Sequence, residues 1–246
     1  MVQGSAIAVR GLRARYRAVE ALRDVSVTLS PGRLTAIIGP NGAGKSTLMK
    51  AMLGLIPTEA GTVWYGDRPL LECRDRVAYV PQRSQVDLTY PATVAEVVLM
   101  GRTRQTGWFR RFSATSRQRV RTALERVELW DLRDRPIGAL SGGQQQRAFL
   151  ARSLAQGAEA FFFDEPLVGV DRRTEAIVLD VFQELAAAGH TVVVVNHDLG
   201  DVMARFDEVV LLNREVIAAG HRRFVLNDEL LSRAYGGRVD FFHGAA

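Results

Sequence analysis

The sequence predicts a mixed α/β fold with an extra antiparallel layer near its N-terminus and a helical insertion in its middle. Three observations lead there. Short β-branched runs bounded by turn residues fill the first third of the chain. The runs 161–163 and 192–195 are continuously apolar rather than alternating, as strands buried on both faces of a parallel sheet are. Between roughly 84 and 139 the pattern turns helical.

Taken in order, strands are expected at 6–10, 25–29, 34–38, 62–65 and 77–80. One helix interrupts them, opening at Gly44 and running to about Leu55, before Pro57. From Thr93 to about Val127 the valines 94, 97, 98, 120 and 127, with Leu124, fall at helical spacing. A helix follows Ser141 and reaches about Leu154. Strand and helix then alternate, with strands at 160–163, 191–195 and 208–212 and helices at 171–187 and 199–205. Residues 221–246 read as a short helical tail.

Composition narrows the class. No apolar run approaches the roughly 20 residues that a spanning helix needs. Residues 1–10 do not resemble a charged leader with an apolar stretch, so a cytosolic location is expected. Cys73 is the only cysteine, which rules out an internal disulfide or a cysteine cluster. The net charge of +5 is local in origin. Between Arg102 and Arg126 eight arginines face one acid, Glu125. Such a segment is either a solvated helix face or a surface for nucleic acid, anionic headgroups or an acidic partner.

The chemistry starts at Gly39-Pro40-Asn41-Gly42-Ala43-Gly44-Lys45-Ser46-Thr47, which follows an apolar strand and opens a helix. That context is the one a phosphate-binding loop requires. The glycines let successive backbone N–H groups approach phosphate oxygens, and the helix presents its positive end. Lys45 is expected to reach the β- and γ-phosphates, and Ser46 to place its hydroxyl on Mg²⁺. A nucleoside di- or triphosphate is the ligand implied.

The strand at 160–163 ends in Asp164-Glu165. Ligands in open α/β sheets gather beyond the carboxyl ends of the strands. Asp164 is therefore a candidate Mg²⁺ holder, and Glu165 a candidate base for water attacking the γ-phosphate. Leu140-Ser141-Gly142-Gly143-Gln144 is a second phosphate-binding turn, some 95 residues beyond the first. Spacing alone gives no reason for one nucleotide to use both.

With these motifs in order, the chain resembles the nucleotide-binding subunit of ATP-binding-cassette transporters over essentially its whole length. Residues 39–47 resemble Walker A, and Phe161 to Glu165 resemble Walker B with its catalytic glutamate. Gln82 resembles the Q-loop glutamine, Ser141 to Gln144 the signature motif, and His197 the switch histidine. Tyr16 resembles the aromatic that stacks on adenine, and Asp171 the D-loop aspartate at the dimer seam, though it also suits a helix N-cap.

The resemblance implies one P-loop NTPase domain over 1–246, with an antiparallel β subdomain and a helical subdomain near 84–139. It implies catalytic roles for Lys45, Gln82, Glu165 and His197, and Mg²⁺ held by Ser46, Gln82 and Asp164. It further implies an ATP-dependent head-to-tail homodimer in which Ser141, Gly142, Gly143 and Gln144 close over the partner's ATP. The other partners implied are a membrane permease, at the cytoplasmic face of the membrane, and indirectly an extracytoplasmic metal-binding protein. No nucleic acid is expected.

The stretch from Asp164 to Glu175 carries Val168-Gly169-Val170 before Asp171 and departs from the commoner Ser-Ala-Leu-Asp form. It resembles the branch that imports manganese, zinc or iron. So do the residues from Val80 through Asp87 to Arg102, those from Gly107 to Arg111, and Ala234-Tyr235-Gly236-Gly237. Importers of chelated iron or cobalamin share some of these features, and a cassette ATPase not coupled to transport is the other alternative. The metal is cargo. The four histidines, 190, 197, 221 and 243, are scattered, and no cluster has metal-site spacing.

Overall fold

The computed structural model describes residues 4–16, 19–82, 91–107, 111–197 and 199–237. Residues 83–90, most of 107–111, Asp198 and the tail from 238 onward, which the sequence reading includes, lie outside the described set. The chain divides into two compact units, one of residues 1–74 with 185–246 and one of residues 75–184.

The first unit begins with β1 (Ile7–Tyr16) and β2 (Val19–Leu29), an antiparallel pair. Strand β4 (Ala60–Tyr65) joins the other edge of β1, and the two-residue β5 (Arg68–Pro69) follows it, giving the order β2-β1-β4-β5. Leu12 and Ala14 are buried between exposed arginines, so this layer alternates and covers the core on one face. In the same unit β3 (Leu34–Ile38) runs parallel to both β8 (Thr191–Val195) and β9 (Glu208–Asn213). Every residue of β3 and β8 is buried, as continuous apolar runs require. Strand β10 (Glu215–His221) closes this set antiparallel to β9. Two helices follow, α7 (Arg222–Val225) and α8 (Asp228–Tyr235), and α1 (Lys45–Met52) leaves the loop after β3.

The second unit holds a parallel pair, β6 (Val77–Val80) and β7 (Ala160–Asp164). Its helices are α2 (Val94–Met100), α3 (Thr103–Thr106), α4 (Ala114–Arg126), α5 (Gly142–Gln156) and most of α6 (Arg172–Ala187). Helix α2 starts in a capping box: the Thr93 hydroxyl accepts from the Glu96 amide, and the Glu96 carboxylate accepts from the Thr93 amide. Helices α2 and α4 pack on α5.

Two expectations need correction. The helical stretch from Thr93 is divided into α2, α3 and α4; Gly101, just after α2, lies so close to α5 that a Cβ there would sit 2.4 Å from the Arg152 carbonyl oxygen. The tail expected from 221 is helical where it is described, in α7 and α8. The stretch at 199–205 is a short 3₁₀ turn over Asp201–Arg205 rather than an α-helix.

Among the described residues, Arg102, Arg119, Arg121 and Arg126 of the arginine-rich segment are engaged within the protein. Arg102 is buried and donates to the carbonyls of Ala155 and Gln156, where α5 ends. Arg119 lies beside the same helix end at Gly157. Arg121 pairs with Glu125 and lies over the Trp130 ring, and Arg126 pairs with Glu184. The positive charge thus serves in part to neutralise a helix C-terminus and to tie α4 to its neighbours.

Candidate active site

In the first unit, buried β3 ends at Gly39 and the chain turns through 39–44 into α1. Gly39 packs against β9: a Cβ on it would sit 2.0 Å from the Leu212 carbonyl oxygen. Gly44 adopts φ 91°, and a Cβ there would sit 2.5 Å from the Ala21 carbonyl oxygen of β2. Asn41 and Gly42 are exposed at the tip, while Ala43 is buried.

Lys45 is only 5 % exposed, and its Nζ donates to the carbonyl oxygens of Gly39 (2.8 Å) and Pro40 (2.9 Å). The ammonium therefore lies across the loop it follows. Helix α1 has no side-chain cap at Gly44 and no acid in its first turn. Its N-terminal amides can receive an anion without a competing carboxylate on the same helix. Ser46 and Thr47 are half-buried at that end. His197 is exposed, just past β8, in the same unit. Tyr16 ends β1, and its side chain is outside the described set.

In the second unit the parallel pairing of Val80 with Phe163 carries β6 and β7 to the same end of the ladder. Gln82 comes two residues after one strand, and Glu165 one residue after the other. There the Gln82 Nε2 donates to Glu165 Oε2 at 2.7 Å. Glu165 holds this position at φ 53°, a left-handed conformation that costs a side-chain-bearing residue about 1–2 kcal/mol. Asp164 is 1 % exposed. Burial, and then the Asp164 charge, push the Tyr79 phenol well above its ordinary pKa. Tyr79 therefore stays neutral beside the carboxylate.

Ser141 caps α5 in a second capping box: its hydroxyl accepts from the Gln144 amide (3.3 Å), and the Gln144 side chain accepts from the Ser141 amide (2.9 Å). Gln145 anchors the approach by donating to the carbonyls of Leu140 and Ile137. Gly143 is buried because Asp171 and Thr174 press on it. A Cβ there would sit 2.6 Å from Thr174 Oγ1 and 3.0 Å from Asp171 Oδ2. Asp171 accepts from the amide and hydroxyl of Thr174, both at 2.9 Å, and so caps α6.

Sequence reasoning named Gln82 and Glu165 separately and missed that they bond. Both follow short strands, which was the available signal. It also missed Tyr79 and Thr174. A tyrosine on a strand and a threonine in a helix's first turn carry no such signal.

The second unit thus offers a carboxylate held by an amide beside a buried aspartate. The first offers a lysine-crossed loop opening a helix. A family model for ABC transporters matches residues 22–168. The chain belongs to the ABC transporter family.

Within it, this ATPase is 46 % identical over 228 residues to the manganese transport system ATP-binding protein MntB of Listeria monocytogenes, covering 93 % of this chain and 95 % of that one. It is 48 % identical over 234 residues to the zinc transport system ATP-binding protein TroB of Treponema pallidum, with 95 % and 88 % covered. Among solved structures, an inward-facing metal-chelate type ABC transporter described as putative by its authors matches with a TM-score of 0.82 at 28 % identity, over 94 % of this chain and 88 % of that one. Among the described residues, no helix of this ABC ATPase is long and apolar enough to cross a membrane. No three His, Cys, Asp or Glu side chains among them are grouped to hold a metal ion.

Proposed function

We propose that this ABC ATPase hydrolyses ATP to drive uptake of a divalent metal ion, manganese or zinc, through a membrane permease at the cytoplasmic face. The cargo assignment rests on kinship to ATPases named for manganese and zinc transport at 46 % and 48 % identity. The catalytic assignment rests on the 2.7 Å bond from Gln82 to Glu165. That bond orients the carboxylate that would take a proton from water.

Ser46, Gln82 and Asp164 would hold Mg²⁺. A hydroxyl, an amide oxygen and a carboxylate are the hard donors that ion takes, and the nitrogen end of Gln82 is already spent on Glu165. When bound, Mg²⁺ neutralises phosphate charge. Lys45 would exchange the Gly39 and Pro40 carbonyls for phosphate oxygens, and Gly39 to Thr47 would supply backbone amides. His197 would contact the γ-phosphate and Tyr16 would stack on adenine.

The capping box uses Ser141 and Gln144 locally and leaves Ser141 exposed and Gly142 half-exposed at the start of α5, which suits Ser141, Gly142 and Gly143 to cover nucleotide on a second copy. ATP would then favour the closed homodimer because only that state bonds it from both sides. Asp171, packed on Gly143, would link the turn to the seam. Import of a metal chelate is a second reading, favoured by likeness to the metal-chelate type transporter. Uptake of free against chelated metal separates the two.

The test is phosphate release by the ATPase with its permease. Glu165→Gln should retain ATP binding and lose turnover by about 10²-fold or more. Near-normal turnover would overturn the assignment.

A further inference from the structure

The phosphate loop is braced from behind by Leu212 and Arg214, at the turn between β9 and β10. The Leu212 carbonyl occupies the space beside Gly39, 2.0 Å from where a Cβ would stand. The Arg214 amide donates to the Ala43 carbonyl at 2.8 Å. Arg214 itself turns at φ 61°, and its carbonyl accepts from the Arg23 amide of β2 at 2.7 Å. This turn therefore touches the loop near both its ends.

Between those two contacts, Asn213 points to a different element. Its Nδ2 donates to the Ala234 carbonyl of α8 at 2.9 Å. Helix α8 is well made for such a post: Asn227 caps its start, Leu231 and Ala234 are buried, and Gly236 ends it at φ 75°. The next residue, Tyr235, carries a fully buried hydroxyl, and burial pushes this phenol above its ordinary pKa.

We propose that α8 positions the phosphate loop, with Asn213 locking the supporting turn onto the helix at the Ala234 carbonyl. This rests on the loop's reading as the nucleotide phosphate site and assigns a role to α8 that the nucleotide motifs do not contain. Asn213 is a positioning residue. It holds the turn that shapes the cradle into which Lys45 and the amides of the loop project, so the C-terminal helix sets part of the affinity for nucleotide.

The experiment measures ADP and ATP binding to the full-length chain by calorimetry, alongside its unfolding temperature without nucleotide and its KM and kcat with permease. Asn213→Ala removes the side chain that donates to the Ala234 carbonyl. It should weaken ADP binding about five-fold, the value of one ordinary hydrogen bond, and raise KM with kcat little changed. Its unfolding temperature without nucleotide should stay within about 4 °C of wild type. Ser232→Ala, which loses only a bond to the Gly237 carbonyl, should bind as wild type does.

Wild-type affinity in Asn213→Ala overturns the role of α8 and leaves the loop's reading intact. Loss of affinity in Asn213→Ala that comes with a larger loss of stability also overturns it, since the bond then serves folding. A wild-type chain that binds neither nucleotide overturns the loop's reading and the role of α8 together.

Discussion

Gly39 and Gly42 belong to one loop, and the structure assigns them different burdens. A Cβ on Gly39 would stand 2.0 Å from the Leu212 carbonyl oxygen, whereas ordinary contact begins near 3.4 Å. About 1.4 Å of separation must be found between two pieces of backbone, and no side chain can rotate away. Leu212 is fully buried and paired with Val216 of β10, so the strain would pass into the ladder. Overpacking of this kind costs about 3 kcal/mol. For a chain of this size that is about 6–12 °C in unfolding temperature. Gly42, at φ 78°, has nothing within 4 Å of an added Cβ. Alanine there bears only left-handed strain of about 1 kcal/mol, or about 2–4 °C. The assay is thermal unfolding of Gly39→Ala and Gly42→Ala without nucleotide. Equal midpoints, or a lower one for Gly42→Ala, would refute the assignment of a packing role to Gly39 alone.

Other outcomes follow from the second unit. Arg102→Met retains the bulk of the side chain but takes the Arg102 donor from the Ala155 carbonyl and leaves the Gln156 carbonyl to Gln105, and should cost about 2 kcal/mol in urea unfolding. Exposed Arg104→Met should change stability by less than about 0.5 kcal/mol, and similar losses in both would contradict this. The Asp171 carboxyl is held below its ordinary pKa by the Thr174 amide first and its hydroxyl next. A depressed carboxylate stabilises the fold above its unfolded pKa, near about 4, and loses that contribution as pH falls through its folded value. The gap in unfolding temperature between wild type and Asp171→Ala should therefore narrow as pH drops from about 5 toward 2. A gap that widens there would contradict the cap.

The parts of the fold legible from sequence are those where one signal dominates. Strands β3 and β8 have the bounds expected because five buried residues, four of them apolar, between turns admit little else. Helices α5 and α6 start where Ser141 and Asp171 suggest, since capping is local chemistry. Strand β1 is longer than expected. Gly11 at φ 59° and shifts in register break its alternation, and the exposed arginines 10, 13 and 15 disguise it as loop. Strand β10 alternates too weakly to read, because most of it is half-buried.

The site divides in the same way. Lys45 and Glu165 sit in contiguous motifs, so residue type and spacing reveal them. The contacts of Gly143 with Thr174, and of Asn213 with Ala234, join residues 31 and 21 positions apart, and no local pattern records them.

The central claim is that hydrolysis at Glu165 drives metal uptake. Its most direct test is the elemental content of cells lacking this gene, grown with limiting metal and carrying either wild type or Glu165→Gln. Manganese or zinc should fall in the deleted cells and return with wild type alone. Unchanged metal content across several media, or full restoration by Glu165→Gln, would contradict it.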